Sequence, residues 1–215
     1  MNGMTMRAEM KNPGNDHDLE KLLVRAEQQD EAAIQSLMSV HRERLRRMVA
    51  VRMHDRLARR IDPSDVIQEA MLDACKKLPD YCKERPLPFY PWLRRFVWQK
   101  LVHLQRHHLD AQRRSVGREL PQGMPLSETS SIQLADQLIA GGTSPSNGAV
   151  QKESRDKVRS ALMQLSNHDR EVLVLLYLEQ VSIHEASEVL GISQRAANMR
   201  HLRALRRIRP VLSNL

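Results

Sequence analysis

Residues 182–208 read SIHEASEVLGISQRAANMRHLRALRRI and predict two helices joined by a short turn. The first helix begins at Ser182, whose hydroxyl can accept from the backbone N–H of Glu185 while the Glu185 carboxylate reaches back, which makes a capping box. Gly191 follows this helix and is the residue best suited to the left-handed conformation that ends one. Ser193 is then placed to cap a second helix. The stretch therefore predicts two consecutive helices, of which the second is the longer.

The second of these helices carries most of its positive charge on one side. At about 100° per residue, one arc of its surface can face a core and holds Ala197, His201, Ala204, Leu205 and Ile208. The opposite arc holds Arg195, Arg200, Arg203, Arg206 and Arg207. A short helix braced against a longer basic one is typical of a helix-turn-helix, whose second helix enters the major groove of duplex DNA. A solvated basic helix on any soluble protein is the alternative that this pattern leaves open.

The composition favours a polyanionic partner. The 215 residues include 34 Lys and Arg against 26 Asp and Glu, a net charge of +8, so nucleic acid is the leading partner class. Residues that favour strands never form a run bounded by turn signals, and we expect an all-α fold. No apolar run reaches about 18 residues and no signal-peptide pattern opens the chain, so we expect a cytoplasmic protein without a membrane partner. The two cysteines, Cys75 and Cys82, are interpreted as packing residues.

A change in composition and periodicity along the chain predicts two small helical domains. Residues 113–148 collect glycine, proline and serine without sustained periodicity and are predicted to be a flexible linker. Residues 17–112 form the domain before it, and residues 149–215 form the domain after it, a bundle of about four helices that contains the opening motif. Within the linker, a brief apolar turn is conceivable at Leu134, Leu138 and Ile139. Residues 1–16 are polar and unpatterned, and we expect a disordered tail.

Six of the seven aromatic residues are concentrated between positions 81 and 98. On the helix predicted there, most of them share the apolar side, and Phe89, Trp92 and Phe96 are interpreted as core. Trp98 projects from the other side, where its neighbours are Arg94, Arg95, Gln105 and Arg106. An indole ring among guanidinium groups suits the stacking of an unpaired base. The N-terminal domain is therefore predicted to bind single-stranded nucleic acid, and truncation of Trp98 is expected to cost little stability.

An acidic helix face is predicted within residues 60–78, RIDPSDVIQEAMLDACKKL. Asp62 is an N-cap for this helix, and Asp65 and Glu69 stand one turn apart on a face that they share with Gln68. Two carboxylates at this spacing could act as acid and base, but no third catalytic group or glycine-rich phosphate loop accompanies them. We therefore interpret the face as a protein-docking surface.

The stretch HLQRHH, residues 103–108, is a candidate metal site because His103, His107 and His108 lie within about one turn and a half. No carboxylate or cysteine completes a set of metal ligands with them. We interpret these histidines as an extension of the basic surface, and we expect neither a metal nor another cofactor.

Three separated stretches resemble the bacterial sigma factors of the extracytoplasmic-function (ECF) class. They are DPSDVIQEA at 62–70, FYPWLRRFVWQKL at 89–101, and LSNHDREVLVLLYLEQVSIHEASEVLGISQRAANMRHLRALRRIRPVL at 165–212. They occur in the family's order and spacing, and the likeness extends over residues 17–212. It implies two helical domains, sigma regions two and four, joined by a flexible linker. It also implies a non-enzymatic initiation factor that binds core RNA polymerase, directs it to promoters and helps to melt them.

The resemblance also implies a role for each of three surfaces. The coiled coil of the polymerase β′ subunit would contact Asp65, Gln68 and Glu69, with the β subunit as a further partner. The minus-ten element would be melted and read as a single strand by Arg94, Arg95, Trp98, Gln99, Lys100 and His103. The minus-thirty-five duplex would be read by Ser193, Gln194, Arg195, Asn198, Met199, Arg200, Arg203 and Arg207. An anti-sigma factor is a further partner that the class allows.

The chain departs from the family at positions that would face DNA bases. Many members have asparagine where this chain has Gln99, and many read Gly-Thr-Val-Lys where it has the four residues 195–198. The promoter sequence therefore cannot be carried over from the family. The stretch KERPLPFYPWLRR, residues 83–95, is most similar to sigma factors abundant in planctomycete-type bacteria.

Two other functions remain open from the residues alone. A regulator could bind duplex DNA as a symmetric dimer through the same helix-turn-helix and use its N-terminal half for dimerisation or sensing. That function would not need Trp98 on a polar face. A nuclease is disfavoured because the clustered carboxylates of a metal site are lacking.

Overall fold

In the computed structural model, the described residues are 16–110, 126–140 and 148–213. Nearly all of the predicted N-terminal tail, both flanks of the predicted linker and the last two residues lie outside them. The described residues fall into two compact units, 16–110 in one and 126–140 with 148–213 in the other. Each unit is helical, and no strand occurs in either.

The N-terminal unit contains five helices. They are α1 (Asp16–Glu27), α2 (Glu31–Arg52), the short α3 (Asp55–Ala58), α4 (Pro63–Glu84) and α5 (Phe89–Asp110). Helix α2 packs against α1, α4 and α5, and α4 also packs against both α1 and α5. The centre of this unit is filled by the fully buried side chains Leu37, Leu45, Met48, Leu57, Ile67, Leu78, Phe89, Leu93 and Leu101. Burial of this apolar surface is the main force that holds the helices together.

Helix α4 begins where the sequence predicts. Asp62 is the N-cap, and its carboxylate accepts from the Ser64 backbone N–H at 2.7 Å, which lowers the pKa of Asp62. Pro63 occupies the first helical position, where its missing N–H costs nothing. The helix ends at Arg85 in the left-handed conformation, with φ of 42°, and the Arg85 guanidinium contacts Glu20 of α1. That ion pair fixes the end of α4 to the first helix.

The aromatic residues predicted as core form one cluster between α4 and α5. The Tyr81 and Trp92 ring centroids lie 4.4 Å apart, and the Trp92 and Phe96 centroids lie 5.0 Å apart. Phe89 and Trp92 are buried, as predicted, whereas Phe96 is half-buried. The Tyr81 hydroxyl donates to the Leu87 carbonyl at 2.9 Å, and burial raises the pKa of Tyr81 to about 12. The cluster locks the first half of α5 against the second half of α4.

The two cysteines are both free thiols of the N-terminal unit. Cys82 is buried and Cys75 is half-buried, as expected of packing residues. Burial raises the pKa of each thiol, so both stay protonated at neutral pH.

The C-terminal unit contains the predicted helix-turn-helix and one helix where the sequence predicted a linker that could hold a brief apolar turn. Its elements are α6 (Glu128–Ala140), α7 (Gly148–Met163), α8 (Asn167–Leu173) with a π-helical continuation (Val174–Leu178), α9 (Ile183–Leu190) and α10 (Gln194–Ser213). Helix α10 packs against α7, α8 and α9. Residues 128–140 had been assigned to the flexible linker, and their helical structure corrects that assignment.

Helix α6 forms because it has a cap, an apolar side and charged partners on α7. The Ser127 hydroxyl accepts from the Ser130 backbone N–H at 3.1 Å. One side of the helix is buried against α7 and the π-helical segment and holds Ser130, Leu134, Ala135 and Leu138. Asp136 pairs with Arg155 of α7 at 2.6 Å. Part of the predicted linker is therefore a structural element of the C-terminal unit.

The predicted local signals of the helix-turn-helix are confirmed. The Ser182 hydroxyl accepts from the Glu185 backbone N–H at 3.1 Å, and the Glu185 carboxylate accepts from the Ser182 N–H at 2.9 Å. Gly191 ends α9 with φ of 62°, a conformation that costs glycine little. The Ser193 hydroxyl accepts from the Ala196 N–H at 3.2 Å and caps α10.

Candidate nucleic-acid interface

Helix α10 has the buried side that the sequence predicts. Ala197, His201, Ala204 and Ile208 are buried, and Leu205 is half-buried. The His201 Nε2 atom lies 3.4 Å from the Tyr177 hydroxyl, and burial lowers the pKa of this histidine below its usual value. His201 is therefore a neutral core residue of the helix-turn-helix at neutral pH.

The opposite side of α10 presents most of the residues predicted to contact duplex DNA. Those that are exposed are Ser193, Gln194, Arg195, Asn198, Met199, Arg203 and Arg207, and Arg200 is half-buried. Two apolar side chains, Met199 and Leu202, are also exposed among the arginines. Apolar side chains on a recognition helix can contact thymine methyl groups, and arginines can pair with guanine or phosphate. The face is therefore chemically suited to the major groove.

Arg203 differs from the other arginines of this face because it has an acidic partner within the unit. Its Nη1 atom lies 3.4 Å from the Asp169 carboxylate of α8. The Asp169 side chain is buried although the Arg203 side chain is 55% exposed. A helical wheel of α10 could not show this contact, since Asp169 comes from another helix.

Helix α5 presents only part of the predicted minus-ten surface to solvent. Arg95, Gln99 and His103 are exposed, and Lys100 and Trp98 are half-buried. Arg94 is 6% exposed, which corrects its predicted place on the outer face. The prediction failed because a wheel of α5 takes no account of the helices that pack against it, α2 and α4.

Two buried arginines contact the Trp98 ring. The guanidinium carbon of Arg94 lies 5.5 Å from the ring centroid, and that of Arg52, at the end of α2, lies 5.7 Å from it. Both distances are within the range of a cation–π contact. Gln105, which donates to the Arg52 carbonyl at 2.9 Å, fixes the end of α2 beside this site. Arg52 was missed by the sequence analysis, since its contact with Trp98 spans two helices.

A groove of about 240 Å³ lies between α4 and α5. Tyr81, Trp92 and Phe96 give it aromatic walls, and the predicted residues Arg95 and Gln99 also line it. An aromatic wall beside a guanidinium and an amide can stack a base and bond to its edge. The groove thus brings two of the predicted strand-reading residues to one concave surface.

The predicted docking residues of α4 share one exposed face. Asp65, Gln68 and Glu69 are exposed, and Leu72, 58% exposed, lies one turn further along. Glu69 forms an ion pair with Lys100 of α5. The predicted polymerase face and the predicted strand surface therefore adjoin through this pair.

The described residues contain neither a metal-binding cluster nor a membrane-spanning helix. Within 16–110, 126–140 and 148–213, no group of three or more His, Cys, Asp and Glu side chains could hold a metal ion. His103 and His107 are exposed, and the side chain of His108 lies outside the described part. No helix of that part is both long and apolar enough to cross a membrane.

Comparison with known proteins identifies both units. Residues 40–114 match the family Sigma-70 region 2, and residues 155–208 match Sigma-70, region 4. The ECF RNA polymerase sigma factor SigW of Bacillus subtilis is 23% identical over 159 residues, which are 72% of this chain and 77% of SigW. The probable RNA polymerase sigma factor RfaY of Xanthomonas campestris pv. campestris is 28% identical over 145 residues, 67% of this chain but only 32% of RfaY.

A similar fold occurs in a solved structure, that of CnrH in complex with the cytosolic domain of CnrY. The TM-score is 0.50 at 23% identity, and the likeness covers 90% of this chain and 96% of CnrH. The region 2 match favours a sigma factor over the alternative of a dimeric regulator, which assigned the N-terminal half to dimerisation or sensing. Because regions 2 and 4 are both matched, in order and over more than half of the sequence, the chain belongs to the sigma-70 family as an ECF-type sigma factor for transcription initiation.

Proposed function

We propose that this sigma factor uses three surfaces in turn: α4 to bind core RNA polymerase, α10 to hold the minus-thirty-five duplex, and α5 to capture the opened minus-ten strand. The observation that carries the proposal is the difference between the two cationic surfaces. One is a helix face of exposed arginines, which suits duplex DNA. The other surrounds a tryptophan ring and an aromatic groove, which suits unstacked bases.

The polymerase surface is proposed to be the acidic face of α4. Asp65, Gln68 and Glu69 project from the exposed side of a helix whose opposite side is core. Leu72 adds an apolar contact beside the carboxylates. A face of this kind fits a partner that is basic at its rim and apolar at its centre, since complementary charge sets orientation and specificity. We assign the β′ subunit to this face, and the β subunit is a further partner.

The strand surface is proposed to include both Trp98 and the groove. A base of the opened strand stacks on the Trp98 ring, whose orientation is fixed by Arg52 and Arg94. Stacking on an aromatic ring contributes about 1–3 kcal/mol per base. Arg95 and Gln99 contact a second base or its phosphate at the groove. His103 extends this surface along α5.

The duplex surface is proposed to be the outer face of α10. Ser193, Gln194, Arg195 and Asn198 lie in its first turns, which is the part of a recognition helix that contacts base edges. Met199 offers an apolar contact, and Arg200 and Arg207 reach the phosphates further along the helix. No catalytic residue is proposed on any of the three surfaces, because a sigma factor acts by binding.

In vitro transcription tests the proposed function. The chain is mixed with core polymerase and a fragmented genomic library from the source organism, and the transcripts are sequenced. We expect transcripts that share two upstream elements, and none from core alone. The control is Asp65→Arg, which should remove all of these transcripts. Transcripts that are identical with and without the chain would contradict the proposal.

Two finer assignments are also proposed. The placement in a planctomycete-like subgroup rests on the stretch KERPLPFYPWLRR, and a phylogeny of full-length sequences that groups the chain elsewhere would refute it. A regulatory protein partner is proposed because CnrH was solved with the cytosolic domain of CnrY. Purification of the tagged chain from its own host, with mass spectrometry of the bound proteins, tests this. A polymerase-free complex of defined stoichiometry is the expected result.

A further inference from the structure

We propose that Arg203 is a positioning residue: it holds the recognition helix α10 on α8 through the buried carboxylate of Asp169 rather than binding a DNA phosphate. This inference rests on the proposed duplex binding by α10. Arg203 then leaves the predicted DNA-contacting set, and Asp169, which has no role in any predicted site, gains a role in positioning α10.

The geometry places the pair at the junction of the two helices. Asp169 is in the first turn of α8, where its backbone N–H donates to the Ser166 hydroxyl at 3.1 Å. From there the carboxylate reaches α10 and lies 3.4 Å from the Arg203 Nη1 atom. The carboxylate is buried, with only 2% of the side chain exposed, so the contact is an internal one on the Asp169 side.

The charge of Asp169 explains why the contact is needed. A buried carboxylate loses its hydration and is tolerated only when it is paired or bonded. The amino end of α8 favours the negative charge through the helix dipole. Within the described part of the C-terminal unit, Arg203 is the cation that forms an ion pair with this carboxylate. The guanidinium therefore balances an internal charge and fixes the distance between α8 and α10.

Arg207 provides the matched comparison on the same helix. It lies one turn beyond Arg203 and is exposed, and none of the described carboxylates forms an ion pair with it. Its charge is available to a phosphate. If Arg203 bound a phosphate instead, the buried negative charge of Asp169 would be left without its cation. Two arginines that are equivalent on a helical wheel thus have different roles in the folded unit.

The experiment compares Arg203→Ala, Arg207→Ala and the double variant Arg203→Ala with Asp169→Asn. Each full-length chain is assembled with core polymerase, and its binding to a minus-thirty-five duplex from the library experiment is measured against salt concentration. Each phosphate contact contributes about 0.9 to the slope of log affinity against log salt. We expect Arg207→Ala to reduce the magnitude of this slope by about 0.9 and Arg203→Ala to leave it unchanged.

Two further readouts separate positioning from a general loss of folding. In Arg203→Ala the preference for the minus-thirty-five duplex over a scrambled duplex should fall roughly five- to tenfold, comparable with the loss of one base contact. The double variant should recover most of this preference, because it leaves no buried charge without a partner. Arg203→Lys should also recover part of it, since a cation remains near the carboxylate.

The inference is overturned if Arg203→Ala lowers the salt slope as much as Arg207→Ala, or if the double variant binds no better than Arg203→Ala. Hydrogen exchange gives an answer that does not depend on DNA. Arg203→Ala should raise amide exchange in α8 and α10 but not in residues 16–110, and Asp169→Asn should reverse the change. If the wild-type holoenzyme prefers no duplex, the proposed function fails, and the exchange data alone then decide the role of Arg203.

Discussion

The guanidinium carbons of Arg52 and Arg94 lie 5.7 and 5.5 Å from the centroid of the Trp98 ring, and these contacts change what its substitution should do. The sequence placed Trp98 on an outer face, where truncation would cost little stability. The ring is instead half-buried, and two buried arginines pack on it. Such contacts hold the ring in one orientation, which favours stacking because less side-chain entropy is lost when a base binds. Part of the stability of the unit therefore depends on the residue proposed to bind the strand.

We predict that Trp98→Ala lowers the free energy of unfolding of the N-terminal unit by about 1–2 kcal/mol, because cation–π contacts of partly desolvated arginines are lost. Trp92→Ala, which removes a buried ring of the aromatic cluster, should cost about 3–5 kcal/mol. Urea unfolding followed by circular dichroism measures both. Equal losses for the two variants would show that Trp98 is an ordinary core residue.

A second prediction at this scale concerns the pH dependence of the C-terminal unit. Burial lowers the pKa of His201 below its usual value of 6.5. The unfolded chain therefore binds more protons than the folded chain once the pH falls below about 6.5, and stability falls with the pH in that range. At higher pH the histidine is neutral in both states and adds no pH dependence.

Amide exchange in α10 at pH 7.5 and at pH 5.5 measures this effect. We expect faster exchange at the lower pH, after correction for the intrinsic rate. His201→Gln, which cannot be protonated, is the control, and it should show a smaller difference between the two pH values. The same difference in both proteins would assign the pH dependence to another group.

At the scale of the helices, the confirmed predictions are those that depend on residues close together in the sequence. The capping box of Ser182, the left-handed Gly191 and the N-cap of Asp62 each involve groups within four residues, so the sequence contains all that is needed. Helix α6 was missed because its short apolar side lies in a stretch rich in serine and glycine and is stabilised by α7. The burial of Arg94 was missed for a similar reason, since it depends on helices other than α5.

The docking role of α4 gives the prediction at this scale. We predict that Asp65→Arg abolishes binding to core polymerase and leaves the helical circular-dichroism signal intact, because the Asp65 side chain is exposed and projects away from the core. Pull-down of purified core measures the binding. Asp65 is preferable to Glu69 for this test, since Glu69→Arg would also place a second cation beside Lys100.

The control for this test is Glu31→Arg, which reverses an exposed charge in the first turn of α2. It should bind core as the wild type does. If Asp65→Arg still recovers core in full, the acidic face of α4 is not the polymerase surface.

At the scale of the whole molecule, two surfaces of different chemistry are joined in one chain. A module that binds duplex DNA raises the local concentration of the strand for the module that captures it, without any new contact between the two. Helix α6 belongs with the C-terminal unit, so the chain before α6, rather than the whole predicted linker, joins the two units. The sequence could indicate that two modules exist, because their motifs are local. It could not indicate which basic residues are buried or paired within each module, because those contacts join different helices.

Because the two units are proposed to act at separate steps, variants of each should respond differently to a template that is already open. Trp98→Ala should slow promoter melting, seen as lower permanganate reactivity of unpaired thymines, because the stack that captures the strand is lost. Arg207→Ala should weaken binding of the closed complex, because a phosphate contact to the upstream duplex is lost. A template with a pre-melted bubble removes the cost of unpairing, so it should restore most of the activity of Trp98→Ala. The same template should restore little of the activity of Arg207→Ala, because the upstream duplex that this variant binds weakly is unchanged.

Rescue of both variants to the same extent would mean that the two units do not act at separate steps. Trp98 would then contribute to the affinity of the whole complex rather than to strand capture.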